Sequence, residues 1–103
     1  MKMIEAVVAP ERLGDVKEAL SRVEVFRLTV SDVTGLRRAP GEAFRPEPRV
    51  RLEIGVNENF VRPTIEAIRS ACGGSEGGGG RVYVQELRDV IRVRTGERGP
   101  EAI

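Results

Sequence analysis

Apolar positions along this chain change period several times, and each change marks an element. Residues 3–9, MIEAVVA, are a short apolar run closed by Pro10, as expected of a buried strand. From Glu11, apolar side chains recur at Leu13, Val16, Leu20 and Val23 with Lys17 and Glu18 outside, which predicts an amphipathic helix packed on a sheet. Residues 25–33 alternate, with Phe26, Leu28 and Val30 on one side, Arg27, Thr29 and Ser31 on the other, and Gly35 as the end. Residues 49–56, RVRLEIGV, alternate cleanly and point Val50, Leu52, Ile54 and Val56 inward. A second helix follows, with Asn57 or Asn59 as its cap, a stripe of Val61, Ile65, Ile68 and Cys72, and Gly73 as its stop. Pro63 requires that the first turn of that helix contain it. The last strand is RVYVQE at 81–86, and LRDVIRVRTGERGPEAI closes the chain.

The order strand, helix, strand, loop, strand, helix, strand predicts an α+β fold, a ferredoxin-like βαββαβ sandwich. Four antiparallel strands then carry two helices on one face, in a single domain over residues 1–103. The connection between Gly35 and Pro48 holds three prolines, Gly41 and Arg37, Arg38 and Arg45, and reads as an exposed loop. The sheet face away from the helices needs water or a partner. Val7, Leu28, Ile54 and Val84 are the apolar residues expected to support subunit association there.

Composition narrows the chemistry. With 40% apolar and 32% charged residues, the chain reads as soluble and globular. A net charge of +1 gives no general attraction to nucleic acid or an anionic membrane. There is no histidine, which removes the usual general base, the commonest metal ligand and every Ser-His or Cys-His arrangement. A lone Cys72 excludes an internal disulfide and a cysteine metal cluster. No apolar run resembles a signal peptide or a membrane span, so the expected compartment is the cytoplasm.

Two stretches are candidates for anion binding. Residues 73–80 contain six of the twelve glycines and end at Arg81. Such a run is either a flexible connector or a concavity of backbone N–H groups with a cation at its edge. Near the end, Arg92 and Arg94 stand two apart, so an extended backbone would place both on one face. They are either exposed, ion-paired arginines or the two halves of an anion clamp.

The chain as a whole resembles the nitrogen regulatory P-II signalling family. The likeness lies in the opening MKMIEAVVAPERLGDVKEAL, in LTVSDVTGLRR and VRLEIGV, in AIRSA, and in DVIRVRTGE and EAI. It implies a homotrimer of ferredoxin-like subunits that senses ATP, ADP or AMP between subunits, with no covalent cofactor; no metal site is expected in this chain. A T-loop, here residues 36–48, would dock on a partner protein such as a transporter or an enzyme. The B-loop corresponds to 73–81, with Gly78, Gly79, Gly80 and Arg81 at the phosphates. The C-loop and tail correspond to 92–103, with Arg92 and Arg94 reaching the phosphates from the neighbouring subunit. Thr29, Gly35, Leu36 and Arg38 match the T-loop base and the nucleotide wall, and Val7, Glu53, Ile54 and Gly55 the strands round the adenine. On that reading the glycine run is a phosphate cradle, with arginine contacts worth roughly 1.5–3 kcal/mol each.

The departures from the family are chemical. The 36–48 segment is shorter than usual and has no tyrosine, Tyr83 being the only one, so tyrosine uridylylation is not expected. The family's glutamine that helps hold magnesium and 2-oxoglutarate falls at Ala39, which has no oxygen ligand, and its T-loop-base lysine at Arg49. An alternative is therefore a P-II-like trimer sensing another small anion such as bicarbonate. Two further readings are weaker. An RNA-recognition sheet lacks its paired aromatics, and a slow nucleotide hydrolase would need Glu53 or Glu97 as base.

Overall fold

A computed structural model describes residues 1–73 and 80–103. Its elements are β1 (Lys2–Val8), α1 (Leu13–Arg22), β2 (Thr29–Arg37), β3 (Arg45–Val56), α2 (Glu58–Ala71) and β4 (Arg81–Glu86). Short 3-10 turns add Pro10–Arg12 and Gly99–Ala102. The sheet runs β2-β3-β1-β4, every neighbour antiparallel, as the ferredoxin-like reading requires.

Burial alone explains the register. Ile4 pairs with Ile54, Ala6 with Leu52 and Val8 with Val50, and all six side chains are buried under the helices. Val16 and Leu20 of α1 and Ala67 and Ile68 of α2 close that core from above. Alternation then assigns Met3, Glu5, Val7, Arg51, Glu53 and Gly55 to the open face.

Several sequence expectations shift. Residues 25–28 precede the strand instead of opening it: Val25 is buried, Phe26 is 72% exposed, and β2 begins at Thr29. Glu24 sits at φ 64, a left-handed turn residue that breaks the alternation read from residue 25. Residues 35–48 are not one loop, because β2 continues through Gly35 to Arg37, paired with Arg45 at the start of β3. Pro46 and Pro48 are compatible with a strand because both lie opposite β2 at alternate positions, so their missing N–H groups share one side. That side is vacant, since β1 ends at Val8 opposite Val50. The result is a two-stranded ribbon turning over residues 38–44, with Gly41 at φ 81.

Asn57 occupies the N-cap position of α2, and Gly73, at φ 70, ends that helix as expected. Pro63, however, lies beyond the first turn. The helix continues through it because Thr64, Ala67 and Ile68 behind it are buried, and tertiary packing outweighs one missing hydrogen bond. The expected apolar set on the open face also needs correction: Ile54 and Val84 lie on the helix side. Ile54 is core, and Val84 remains 46% exposed because the helices do not fully cover the edge strand.

One core atom is at odds with its surroundings. Thr64 is fully buried, and its Oγ1 has no hydrogen-bond partner among the described residues. A hydroxyl stripped of water without a partner is destabilising. Replacing Thr64 with the isosteric Val should raise stability by about 1 kcal/mol, read as a higher midpoint in urea unfolding at unchanged slope. A lower midpoint would show that the hydroxyl is satisfied.

Candidate functional site

The candidate residues divide between the two ends of the sheet. At the upper end, Val7 lies opposite Arg51 on β3 and Arg81 on β4. Gly80 enters β4 so close to β1 that a Cβ there would stand 2.9 Å from the Val7 carbonyl oxygen and 3.6 Å from Val8 Cγ1. Only glycine permits that approach, and it delivers Arg81 to the sheet beside Val7. Gly78 and Gly79 lie outside the described residues.

The next row across the open face is Tyr83, Glu5, Glu53 and Thr29. Arg51 Nε stands 3.8 Å from Glu5 Oε1 and 3.7 Å from Glu53 Oε1, so one guanidinium serves two carboxylates. Both Arg51 Nε and the neighbouring Ser31 Oγ are buried without a hydrogen-bond partner among the described residues. Thr29, Glu53 and Gly55 also line one hollow, together with Arg27, Leu28 and Ile103. The Ile54 side chain is excluded from this face, being 1% exposed within the core.

Gly35, Leu36 and Arg38 belong to the ribbon. Gly35 pairs with Glu47, and Leu36 is 64% exposed opposite Pro46. Arg38 lies over the Phe44 ring at 4.9 Å from its centroid, a cation-π contact across the turn. Glu47 gathers the basic side chains at the ribbon's base, 2.9 Å from Arg49 and 3.3 Å from Arg37.

Arg92 and Arg94 lie at the lower end. The chain leaves β4 with the Leu87 N–H donating to the Met1 carbonyl, and Asn57 Nδ2 donates to the Pro100 carbonyl at 3.1 Å. Met1 and Val7 are six residues apart on an extended strand, about 20 Å at ~3.3 Å per residue. One chain therefore does not bring Arg81 and Arg92 round a common small ligand.

Nor are the two arginines on an extended segment. The backbone closes on itself, with Arg92 N–H donating to Glu97 O at 2.9 Å and Gly96 N–H to Arg92 O at 2.8 Å. Gly96 at φ 76 makes that turn, so the same-face argument from spacing fails. Arg98 donates twice to Asp89 and clamps the base of the turn, and that bonding holds the Asp89 carboxyl below its usual range. Arg92 contacts Glu97 Oε1 at 3.6 Å, while Arg94 is exposed with no ion pair among the described residues. Spacing carried no hint of this asymmetry, nor of the Glu5–Arg51–Glu53 group.

Comparison with known proteins agrees with the family that the motifs resemble. Residues 1–97 match the family described as Nitrogen regulatory protein P-II. Nitrogen regulatory protein GlnK1 of Methanosarcina mazei is 45% identical, covering all of this chain and 97% of that one. Nitrogen regulatory protein P-II of Azospirillum brasilense is 37% identical over the whole of both chains, and P-II 1 of Methanothermobacter thermautotrophicus 38% over all of this chain and 97% of its own. The chain belongs to the nitrogen regulatory P-II family, a family of signalling regulators rather than enzymes.

The close approach at Gly80 gives a direct test. Gly80→Ala must push Val7 away, and overpacking of this kind costs about 1–3 kcal/mol. The expected outcome is a lower thermal midpoint, whereas an unchanged midpoint would mean that β1 and the start of β4 separate freely.

Proposed function

We propose that this chain senses adenine nucleotides (ATP, ADP or AMP) in clefts between subunits of a homotrimer. Occupancy would be passed through the 36–48 ribbon to a protein partner, a transporter or an enzyme, in the cytoplasm. The observation that carries this reading is the division of the cationic residues between two ends of one sheet. Arg81 beside Gly80 and Val7 forms one half of a phosphate site, and Arg92 with Arg94 the other, so a second copy must supply what each lacks. Ser31 Oγ, buried without a hydrogen bond, and Arg51 Nε, in ion-pair but not hydrogen-bond range of its two carboxylates, support the same conclusion, because a covering subunit would supply hydrogen bonds that the isolated face does not.

A second reading, a small anion such as bicarbonate with weak or altered nucleotide binding, is favoured by the ribbon. Arg37, Arg38, Arg45 and Arg49 crowd it, and Ala39 stands at its turn. The Methanosarcina alignment spans 114 positions against 103 residues here, which leaves eleven positions without a counterpart in this chain, in keeping with a shortened loop. A methyl group at Ala39 cannot ligate a hard cation, so a magnesium-linked 2-oxoglutarate site of the family type is incomplete.

Light scattering should give a particle three times the 11.3 kDa chain, and a monomer at micromolar concentration would remove the inter-subunit cleft. Calorimetry should then show ATP or ADP binding that Arg92→Ala/Arg94→Ala weakens by several kcal/mol in total. Millimolar 2-oxoglutarate with magnesium should leave ATP affinity unchanged. A tenfold gain would show that another residue replaces the missing ligand. Bicarbonate binding without any nucleotide binding would select the second reading.

A further inference from the structure

Arg92 is already occupied. Its Nη1 stands 3.6 Å from Glu97 Oε1 and its Nη2 donates to the Glu101 carbonyl at 3.4 Å, so the terminal fork of the guanidinium is taken up by its own chain. The carboxylate is not a chance rotamer. Thr95 Oγ1 donates to the same Glu97 Oε1 at 3.1 Å, and the Glu97 N–H donates back to Thr95 Oγ1 at 3.3 Å. The backbone bonds between Arg92 and Glu97 and between Gly96 and Arg92 hold the two residues facing each other across the turn. At 34% and 43% side-chain exposure the pair is open to exchange. Arg94 has no comparable ion-pair partner among the described residues.

We propose that Glu97 is a specificity-determining residue, an internal competitor for the Arg92 guanidinium that only a strongly anionic ligand group displaces. The inference rests on the nucleotide reading above and deepens it. The guanidinium donates to a carboxylate or to phosphate oxygens through the same N–H groups, so the two anions compete for Arg92. A terminal phosphate carrying nearly two charges gains by replacing a carboxylate with one. A monoanion such as bicarbonate gains no charge in that exchange. Glu97 therefore lowers the affinity of every anion that uses Arg92, and weak monoanions fall below useful binding before polyphosphates do. The two arginines act differently: Arg94 meets the ligand without displacing an internal ion pair, while Arg92 must give up Glu97.

A double-mutant cycle tests this by calorimetry at fixed salt, with ATP as ligand and Glu97→Gln, Arg92→Ala and the double variant on the full chain. An exposed ion pair of this kind corresponds to about a 1.5- to 5-fold change, so Glu97→Gln should tighten ATP by that factor. In the Arg92→Ala background the same change should do nothing. Thr95→Val, which alters no charge and frees the carboxylate, should tighten ATP in the same direction and covers the case of a Glu97→Gln chain that does not fold. An equal gain in both backgrounds would reveal a through-space charge effect and overturn the proposal. Unchanged or weaker ATP binding in Glu97→Gln would also overturn it, the latter by showing that Glu97 orients Arg92 for the ligand. A parent chain that binds no nucleotide would remove the nucleotide reading, and the proposal with it.

Discussion

The pairing of β1 with β3 buries Ile4, Ala6 and Val8 against Ile54, Leu52 and Val50 beneath two helices, and the rest of the structure follows from that register. Side chains alternate with period two, so the same pairing obliges Glu5, Val7, Arg51 and Glu53 to the other face. A slip of β3 by one residue would carry Arg49, Arg51 and Glu53 into the core and Val50, Leu52, Ile54 and Val56 out of it. Such an error costs far more than a small domain's net stability of about 5–15 kcal/mol. The candidate binding face is thus specified by the core and not by any preference of its own residues.

Antiparallel topology then separates the chemistry. Because β4 runs against β1, the residues that enter it lie near Val7 and those that leave it lie near Met1. Gly80 and Arg81 fall at one end, the Arg92–Glu97 turn at the other. On the proposed reading, each subunit would present complementary fragments at opposite ends for its neighbour. The β2–β3 ribbon extends from the same sheet, stiffened by pairing from Thr29 to Arg37 and closed by the Arg38–Phe44 contact.

Charge is organised in this molecule mostly as restraint. Arg51 is shared between Glu5 and Glu53, Glu47 between Arg37 and Arg49, Asp89 holds Arg98, and Glu97 holds Arg92. None of these pairs is deeply buried, so each contributes little to stability and exchanges readily with a competing ion. That state would suit residues whose partners change with the proposed ligand. It also agrees with a chain that has no histidine: recognition by charged donors needs no proton transfer.

Much of the fold was legible in the linear pattern. Alternation at Val50, Leu52, Ile54 and Val56, helical spacing at Val16 and Leu20, and Gly73 as a helix stop are local signals tied to burial, and each appears where its period places it. The motifs that carry family membership, from MKMIEAVVAPER to RVRTGE, were equally readable because they are runs of residue identity. What the linear pattern could not supply was anything that depends on a second segment. Pro46 and Pro48 look like loop residues until β1 is seen to end opposite Val50, leaving their nitrogens no ladder to break. Gly80 looks like one more glycine of a flexible run until the Val7 carbonyl lies where its Cβ would be. Arg92 and Arg94 look equivalent until a turn at Gly96 returns the chain and sets a carboxylate against only one of them. Periodicity reports whether a side chain is buried, but which partner it meets is decided by chain segments brought together from elsewhere, and only the tertiary structure holds that information.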